Sequence, residues 1–370
     1  MRRPCPGGGG ARNRAGGYGV PMIRQTDAAG RLDRALGAFY GLALGDALGM
    51  PTQDLSRDRI IADYGTIEGF RDAGPHQLIA AGMPAGTVTD DTEQAVLLAR
   101  LLIDGHGRLD PRAVADGLLA WEAQARSRGS LDLLGPSTTA AVARLRAGES
   151  PREAGRYGTT NGAAMRITPV GIATGLAPWA GFIDRVAAAS EVTHNTSLGI
   201  AAAAAVGAAV SAGVAGASLA EAVDASIDAA QAGERRGHWR AGGSVAARLW
   251  WATGQLAGLG PAAQAEAVDQ LIGTSVAAQE SVVAAIALAA VAEDPWETLG
   301  IAAGVGGDTD TIAAICGAVL GSVFGLASWP AEEVATLEAV NGLGLPPLVD
   351  GLLALRDAGA GARTTGRPLR

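Results

Sequence analysis

Residues 36–49 read Leu36-Gly37-Ala38-Phe39-Tyr40-Gly41-Leu42-Ala43-Leu44-Gly45-Asp46-Ala47-Leu48-Gly49, with a glycine at every fourth position. Positions four apart share one face of a helix. The stretch therefore predicts a helix with a nearly bare groove, along which a second helix can approach backbone to backbone. Asp46 is the one charge in this run, and its two readings are a buried carboxylate held by backbone or arginine, or a site residue. The rest of the chain agrees with close helix packing. Hydrophobic residues make up 48% of it but aromatics only 4%, so the core must be built from alanine, leucine, valine and glycine. Alanine favours helix intrinsically, and alternation of β-branched residues with period two is scarce. The expected fold class is all-α, a compact single-domain orthogonal helix bundle.

At 370 residues the chain can bury a large core. Helical periodicity recurs near 95–104, 111–127, 137–146, 181–192, 198–213, 218–231, 244–256, 262–272, 275–293, 295–303, 311–327 and 347–357. Residues 54–88 read as a mixed loop region. Residues 1–30 are rich in glycine and arginine and are expected to be a disordered tail. The domain then occupies 31–358, its first helix starting near Leu32, and 359–370 form a flexible tail. The uncharged run from Leu198 to Ala220 is long enough to cross a bilayer. Its alanines and glycines gain little from lipid, so a buried core helix is the better expectation.

The net charge of −8 argues against a general binder of nucleic acid or anionic membrane. All 29 basic residues are arginine, which excludes a Schiff-base lysine and a phosphate-loop lysine. Cys5 and Cys316 are too few for a disulfide framework, and no apolar segment follows Arg2-Arg3. A cytoplasmic, monomeric protein is expected.

Two acidic clusters carry the chemistry: Thr89-Asp90-Asp91-Thr92 and Gly306-Gly307-Asp308-Thr309-Asp310-Thr311. Each precedes a helical stripe, Ala95 to Leu102 in one case and Ile312, Ile315, Val319 and Val323 in the other. Asp90 with Glu93 has the form of a capping box. Either cluster alone is an ordinary cap. Together they hold more carboxylates and hydroxyls than capping requires. Four carboxylates brought together need neutralising cations, and four negative charges balance two divalent ions. Oxygen-only ligation selects Mg2+ or Mn2+ over zinc.

Five motifs in order resemble the ADP-ribosylglycohydrolase family, the group that includes the dinitrogenase reductase-activating glycohydrolase. They are Gly45-Asp46-Ala47-Leu48-Gly49, Thr89-Asp90-Asp91-Thr92, Asn161-Gly162-Ala163-Ala164-Met165-Arg166, Thr193-His194 and Gly307-Asp308-Thr309-Asp310-Thr311. The resemblance implies an all-α fold with a binuclear Mg2+ or Mn2+ centre that cleaves the bond at C1 of the ribose in ADP-ribosylated substrates. It implies Thr89, Asp90, Asp91, Asp308, Asp310 and Thr311 as metal ligands, with Asp310 as the bridge. Asp91 and Asp308 are the catalytic candidates, expected also to orient the attacking water. Asn161 and Gly162 would hold ribose and phosphates, His194 would sit near the nucleotide, and Tyr157 is a candidate for stacking on adenine. Many family members carry a glutamate a few residues after the Gly-Asp motif. Here Gln53 stands at that place, with Asp54 as the alternative. An amide can ligate a cation but cannot accept a proton at neutral pH.

The partner expected is an ADP-ribose-bearing substrate, protein-linked or small, with neither membrane nor nucleic acid. Two other classes compete. A non-catalytic ADP-ribose binder is favoured slightly by Gln53 and disfavoured by six retained ligand positions. A two-metal phosphoesterase is disfavoured by the presence of only four histidines.

Overall fold

The computed structural model describes residues 26–128 and 134–364, whose regular elements are all helices, with three isolated bridges and no strand. In chain order the first helices are α1 (Ala28–Gly49), α2 (Arg57–Tyr64), α3 (Asp90–Asp104), α4 (Pro111–Ser127), α5 (Pro136–Arg146) and α6 (Pro151–Ala154). The middle of the chain forms α7 (Gly162–Met165), α8 (Thr168–Ala173), α9 (Trp179–His194), α10 (Ser197–Val214), α11 (Leu219–Gly233) and α12 (Val245–Leu256). The last are α13 (Pro261–Ala267), α14 (Ala278–Ala290), α15 (Pro295–Ala303), α16 (Thr309–Phe324), α17 (Ala331–Asn341) and α18 (Leu345–Thr364).

The glycine groove of α1 is filled by α16. A Cβ added at Gly37, Gly41 or Gly45 would land on the backbone of Gly321, Gly317 or Ala313, and one at Gly49 on the backbone of Asp310. Gly317 and Gly321 return the relation, each facing Gly41 or Gly37. Trp329 seals the outer end of the groove by donating its indole N–H to the Gly37 carbonyl at 2.9 Å. The alanine run forms α10, every residue of which is buried. It is surrounded by α1, α7, α8, α9, α11, α14 and α16 as a core helix, although its length and composition would also suit a bilayer. A second, smaller apolar cluster lies under α4 and α5 around Leu118, Trp121 and Val142.

The structure differs from the pattern reading at the surface helices α2 and α17 and at the short α6, α7 and α8, which the periodicity does not mark. α2 buries only Ile60 and α17 only Leu337, so neither writes an apolar stripe into the sequence. α1 starts at Ala28, earlier than expected, because Asp27 caps it by accepting from the Gly30 amide at 2.8 Å. α18 continues past 358 to Thr364. Its Arg356 is buried and donates to the carbonyls of Gly171, Ile172 and Thr174 where α8 ends, tying the C-terminal helix to the core. The tail expectations for 1–25 and 365–370 concern residues outside those described.

Two glycine substitutions separate packing from propensity. Gly41→Ala adds a Cβ against the Gly317 carbonyl, so overpacking of about 1–3 kcal/mol should outweigh the gain in helix propensity and lower the Tm. Gly254→Ala in α12 meets nothing within 4 Å and should raise stability by roughly 0.5–1 kcal/mol. Thermal melts of both check this; a Gly41→Ala protein as stable as the parent would refute the close-contact account.

Candidate metal centre

α1 positions the first acidic cluster through Asp46. Its buried carboxylate accepts from the Thr89 amide at 3.0 Å, the Thr92 amide at 3.1 Å and the Thr92 hydroxyl at 2.5 Å. The N-terminus of α3 is thus capped largely from another helix. The Asp90–Glu93 capping box is not formed. Thr89 is the N-cap, its hydroxyl accepting from the Asp91 amide at 3.4 Å. With Thr89 as the cap, Glu93 lies one position beyond box register, and its carboxylate accepts from Trp121 and Arg128 instead. Asp46 is held up at about 6 by burial, against the opposing pull of its hydrogen bonds from Thr92 and Thr89.

The second cluster is stitched to the loop after α1. Asp54 N donates to the Gly307 carbonyl at 2.7 Å and Gly307 N returns to Leu55 at 2.9 Å. Thr52 and Thr309 share a 2.9 Å hydroxyl contact at the end of the glycine groove. Gly306 and Gly307 both have positive φ, 91° and 70°, which glycine adopts without steric cost. Asp308 N donates to the Thr274 carbonyl at 2.8 Å. The Asp308 side chain makes no cap bond and instead accepts from the Asn161 amide. An ordinary cap does not leave its carboxylate facing another loop.

These segments bring the two clusters together. Thr311 Oγ1 donates to Asp91 Oδ2 at 3.2 Å across more than two hundred residues of sequence. Asp91 Oδ1 is buried with no hydrogen-bond partner among the described residues. The Asp91 carboxyl is pushed well above the usual range, first by burial and then by Asp310, Asp90, Asp46 and Asp308. Asp308 is raised to about 6, mainly by burial. Such crowding at two helix N-termini, together with threonine hydroxyls and an orphaned carboxylate oxygen, is a donor set suited to hard divalent cations. Among the described residues no three carboxylate, imidazole or thiol groups converge as a finished cage. The carboxylates are held instead by protein donors such as Gln94, Asn161 and Thr311.

A cleft of about 280 Å3 opens on this cluster, lined by Gln53, Asp90, Asn161, Gly162, Asp308, Asp310 and Thr311 among others. Gln53 thus occupies the wall beside the carboxylates, and its Nε2 is buried without a hydrogen-bond partner. Asp54, with φ 59°, is exposed and does not line the cleft. His194 is fully buried one layer behind. Its ring lies beneath Gly162, where a Cβ would meet Cε1 at 2.9 Å, and Nε2 contacts the Thr160 hydroxyl at 2.9 Å. Burial, then Arg166, push its pKa well below the usual histidine value, so it is a neutral support for the 160–162 loop and does not face the cleft. Tyr157 also lies outside the cleft lining.

Gln94, Arg166 and Thr193 join this ring of support, with no separate forecast from sequence. Asp90 accepts from Gln94 at 2.6 Å, Gln94 from Arg166 at 2.9 Å, and Arg166 also donates to Thr193 at 2.5 Å. Thr193 Oγ1 meets His194 Nδ1 at 2.7 Å. The chain of contacts runs from Asp90 round to Thr160, next to Asn161 and hence to Asp308. Its signal in sequence was the spacing of Gln94 four residues after Asp90, and the arginine that closes the Asn161–Arg166 motif.

A model of the ADP-ribosylglycohydrolase family matches residues 27–362. The chain belongs to the ADP-ribosylglycohydrolase family. Membership makes it a hydrolase of the ADP-ribosyl glycohydrolase type. It is 34% identical to the uncharacterized protein YegU of Escherichia coli over 315 residues, 85% of this chain and 94% of that protein. It is 31% identical to the ADP-ribosylarginine hydrolase Tri1 of Pseudomonas putida over 173 residues, 44% of this chain and 42% of that one. A solved structure, an ADP-ribosylglycohydrolase-related protein complex, shares the fold with a TM-score of 0.64 at 25% identity, covering 88% of this chain and 99% of that one.

Asp46 and Asp310 should behave oppositely when mutated. In cation-free buffer Asp46→Asn should melt lower, losing about 1–3 kcal/mol of charge-assisted hydrogen bonding. Asp310→Asn should melt at or above the parent, because it removes one of several like charges, and should lose the stabilisation by Mg2+ or Mn2+. Calorimetric melts with and without each cation check the pair; the reverse ranking would sink these roles.

Proposed function

We propose that this protein hydrolyses the glycosidic bond at C1 of the ribose in ADP-ribosylated substrates, with two Mg2+ or Mn2+ ions held between the acidic clusters. The observation that carries the reading is the meeting of Asp91 and Thr311 beside the cleft walled by Asn161 and Gly162. Thr89, Asp90, Asp91, Asp308, Asp310 and Thr311 would hold the ions. When bound, the ions supply positive charge that neutralises the cluster, grips vicinal hydroxyls and acidifies water beside the anomeric carbon. The protein does the rest. Asp91 presents an unsatisfied oxygen to orient water, and Asp308 is aimed by its hydrogen bond from Asn161. Their charge stabilises the oxocarbenium-like state as the bond to the acceptor breaks.

The acceptor side is a second cleft of about 500 Å3, which shares Ile79 and Asp90 with the first. Glu93, Trp121 and Arg128 line it. Glu93 accepts from the Trp121 indole at 2.6 Å and from Arg128 Nη2 at 2.9 and 3.0 Å. A guanidinium of the protein itself therefore lies on a carboxylate one helical turn from the ligand set. This favours a guanidinium acceptor, the linkage named in Tri1, over a serine or a small hydroxyl compound.

Incubation of the full chain with arginine- and serine-linked ADP-ribose, with Mg2+ and with Mn2+, tests the activity by its products. Free ADP-ribose is expected. Absence of turnover with every linkage points to a non-catalytic binder, and released phosphate or AMP to a phosphoesterase. Chelation should also lower the Tm, with recovery on adding either cation, by about 2.7 kcal/mol at a hundredfold excess over Kd.

The acceptor assignment makes a separate prediction. Glu93→Gln should reduce kcat/KM for the arginine linkage roughly tenfold, the loss of one charge-assisted interaction, and should affect the serine linkage less. Arg128→Ala should raise it, by removing the internal competitor. Equal effects on both linkages would detach Glu93 from acceptor choice.

A further inference from the structure

Beyond the C-terminal half of α5, three guanidinium groups from different parts of the chain surround one ring. Arg144 of α5, Arg240 and Arg156 lie 4.5, 5.0 and 5.2 Å from the centroid of Tyr157. The ring itself is 44% exposed. The carboxylate at this cluster is Glu153, 3.0 Å from Arg156 and 3.7 Å from His238. Arg144 otherwise donates to the Ala154 carbonyl at 3.2 Å. Arg240 forms no ion pair among the described residues, and the nearby Arg152 is taken by Glu191 at 3.5 Å.

The cluster thus carries three guanidinium charges against one carboxylate, in a chain whose net charge is −8. Contacts with the ring are worth about 0.5–1 kcal/mol each at exposed sites, and they hold like charges close without neutralising them. Their positions are fixed by the backbone. Gly158 O accepts from the Thr196 hydroxyl at 2.5 Å, and Arg240 N donates to Ser197 Oγ at 3.1 Å, so both segments are tied to the start of α10. Planar guanidinium forks match the oxygens of a phosphate, and each adds a charge-assisted hydrogen bond. An anion with several terminal oxygens can pair with more than one such group.

We propose that Arg144, Arg156 and Arg240, arranged around Tyr157, form a binding site for a phosphate monoester, separate from the cleft at the acidic cluster. Thr138 lines that cleft, and Arg144 is six residues further along α5, about 9 Å along the helix axis. The same phosphate chemistry occurs on free nucleoside monophosphates and on phosphorylated protein side chains.

Calorimetric titration of the full chain in cation-free buffer, where the acidic cleft repels anions, tests the site with three probes: inorganic phosphate, AMP and a phosphoserine peptide. The parent is expected to bind at least one. Affinity should fall at least tenfold in Arg144→Gln/Arg240→Gln and severalfold in Arg240→Gln, whereas Tyr157→Phe, which keeps the ring, retains it. Arg240 has no ion pair to lose, so the single variant carries the comparison if the double variant unfolds. Binding of AMP alone assigns the site to a free nucleotide, and binding of the peptide alone to a modified protein. No binding of any probe to the parent, or equal affinity in the parent and both arginine variants, overturns the proposal.

Discussion

Backbone contact between α1 and α16 is the constraint on which the site depends. Glycines at 37, 41 and 45 remove the side chains that would keep the helices apart, and Gly317 and Gly321 do the same from the other side. Helices whose backbones touch have little freedom to slide, because every Cβ outside the groove would collide. The register set in the groove continues to its end, where Gly49 meets Asp310. Asp46 sits on the same turn as Gly45 and Gly49 and reaches sideways to the amides of Thr89 and Thr92. One helix therefore sets the position of both acidic clusters, one by packing and one by hydrogen bonding.

That arrangement opposes electrostatics to packing. Desolvation raises Asp46, Asp91 and Asp308 together, and for Asp91 the neighbouring carboxylates add to it. Two helix N-termini offset part of the repulsion. Arg166 is the buried cation behind the cluster, reaching Asp90 through Gln94. It is itself lowered to about 10 by burial, with Asp90 opposing the shift. Gln94, Thr311 and Asn161, which donate to Asp90, Asp91 and Asp308, are neutral side chains that orient carboxylates without cancelling their charge. The remaining charge is what divalent cations would neutralise, and the fold supports it without collapse because α10 is buried throughout and α14 and α16 over most of their length.

The sequence made the long central helices legible because each carries a stripe of small apolar residues or is apolar all round, whereas the buried α7 and α8 are too short to show a period. Surface helices α2 and α17 escaped because one buried residue each leaves no period. The acidic clusters were legible as a pair, since Asp and Thr in excess of capping are a chemical signal. What the sequence could not show was which groups face the cleft. His194 adjoins Thr193 in a motif, yet its ring lies under Gly162, and only the three-dimensional path of the loop decides that. Asp46 was read with both roles open. The structure gives it a positioning role, because all its bonds go to the turn that carries Thr89, Asp90 and Asp91.

Gln53 shows how one residue alters the chemistry without altering the frame. Its backbone belongs to the loop that pairs with Gly307, so its side chain is delivered to the cleft whatever its charge. A carboxylate there would add a fifth acidic group to the cluster, beside Asp90, Asp308 and Asp310 in the cleft wall and Asp91 buried behind it. With the amide there are four, Asp90, Asp91, Asp308 and Asp310, which match the charge of two divalent ions. The amide also has a donor, and its buried Nε2 has no protein acceptor. Leaving such a donor unsatisfied costs about 1–3 kcal/mol, so a ligand oxygen in the cleft recovers energy that the free protein lacks. Proton acceptance cannot fall to this residue. Under the proposed hydrolysis it would fall to a carboxylate of the cluster, and Asp91, with one oxygen on Thr311 and the other unpartnered, is our candidate.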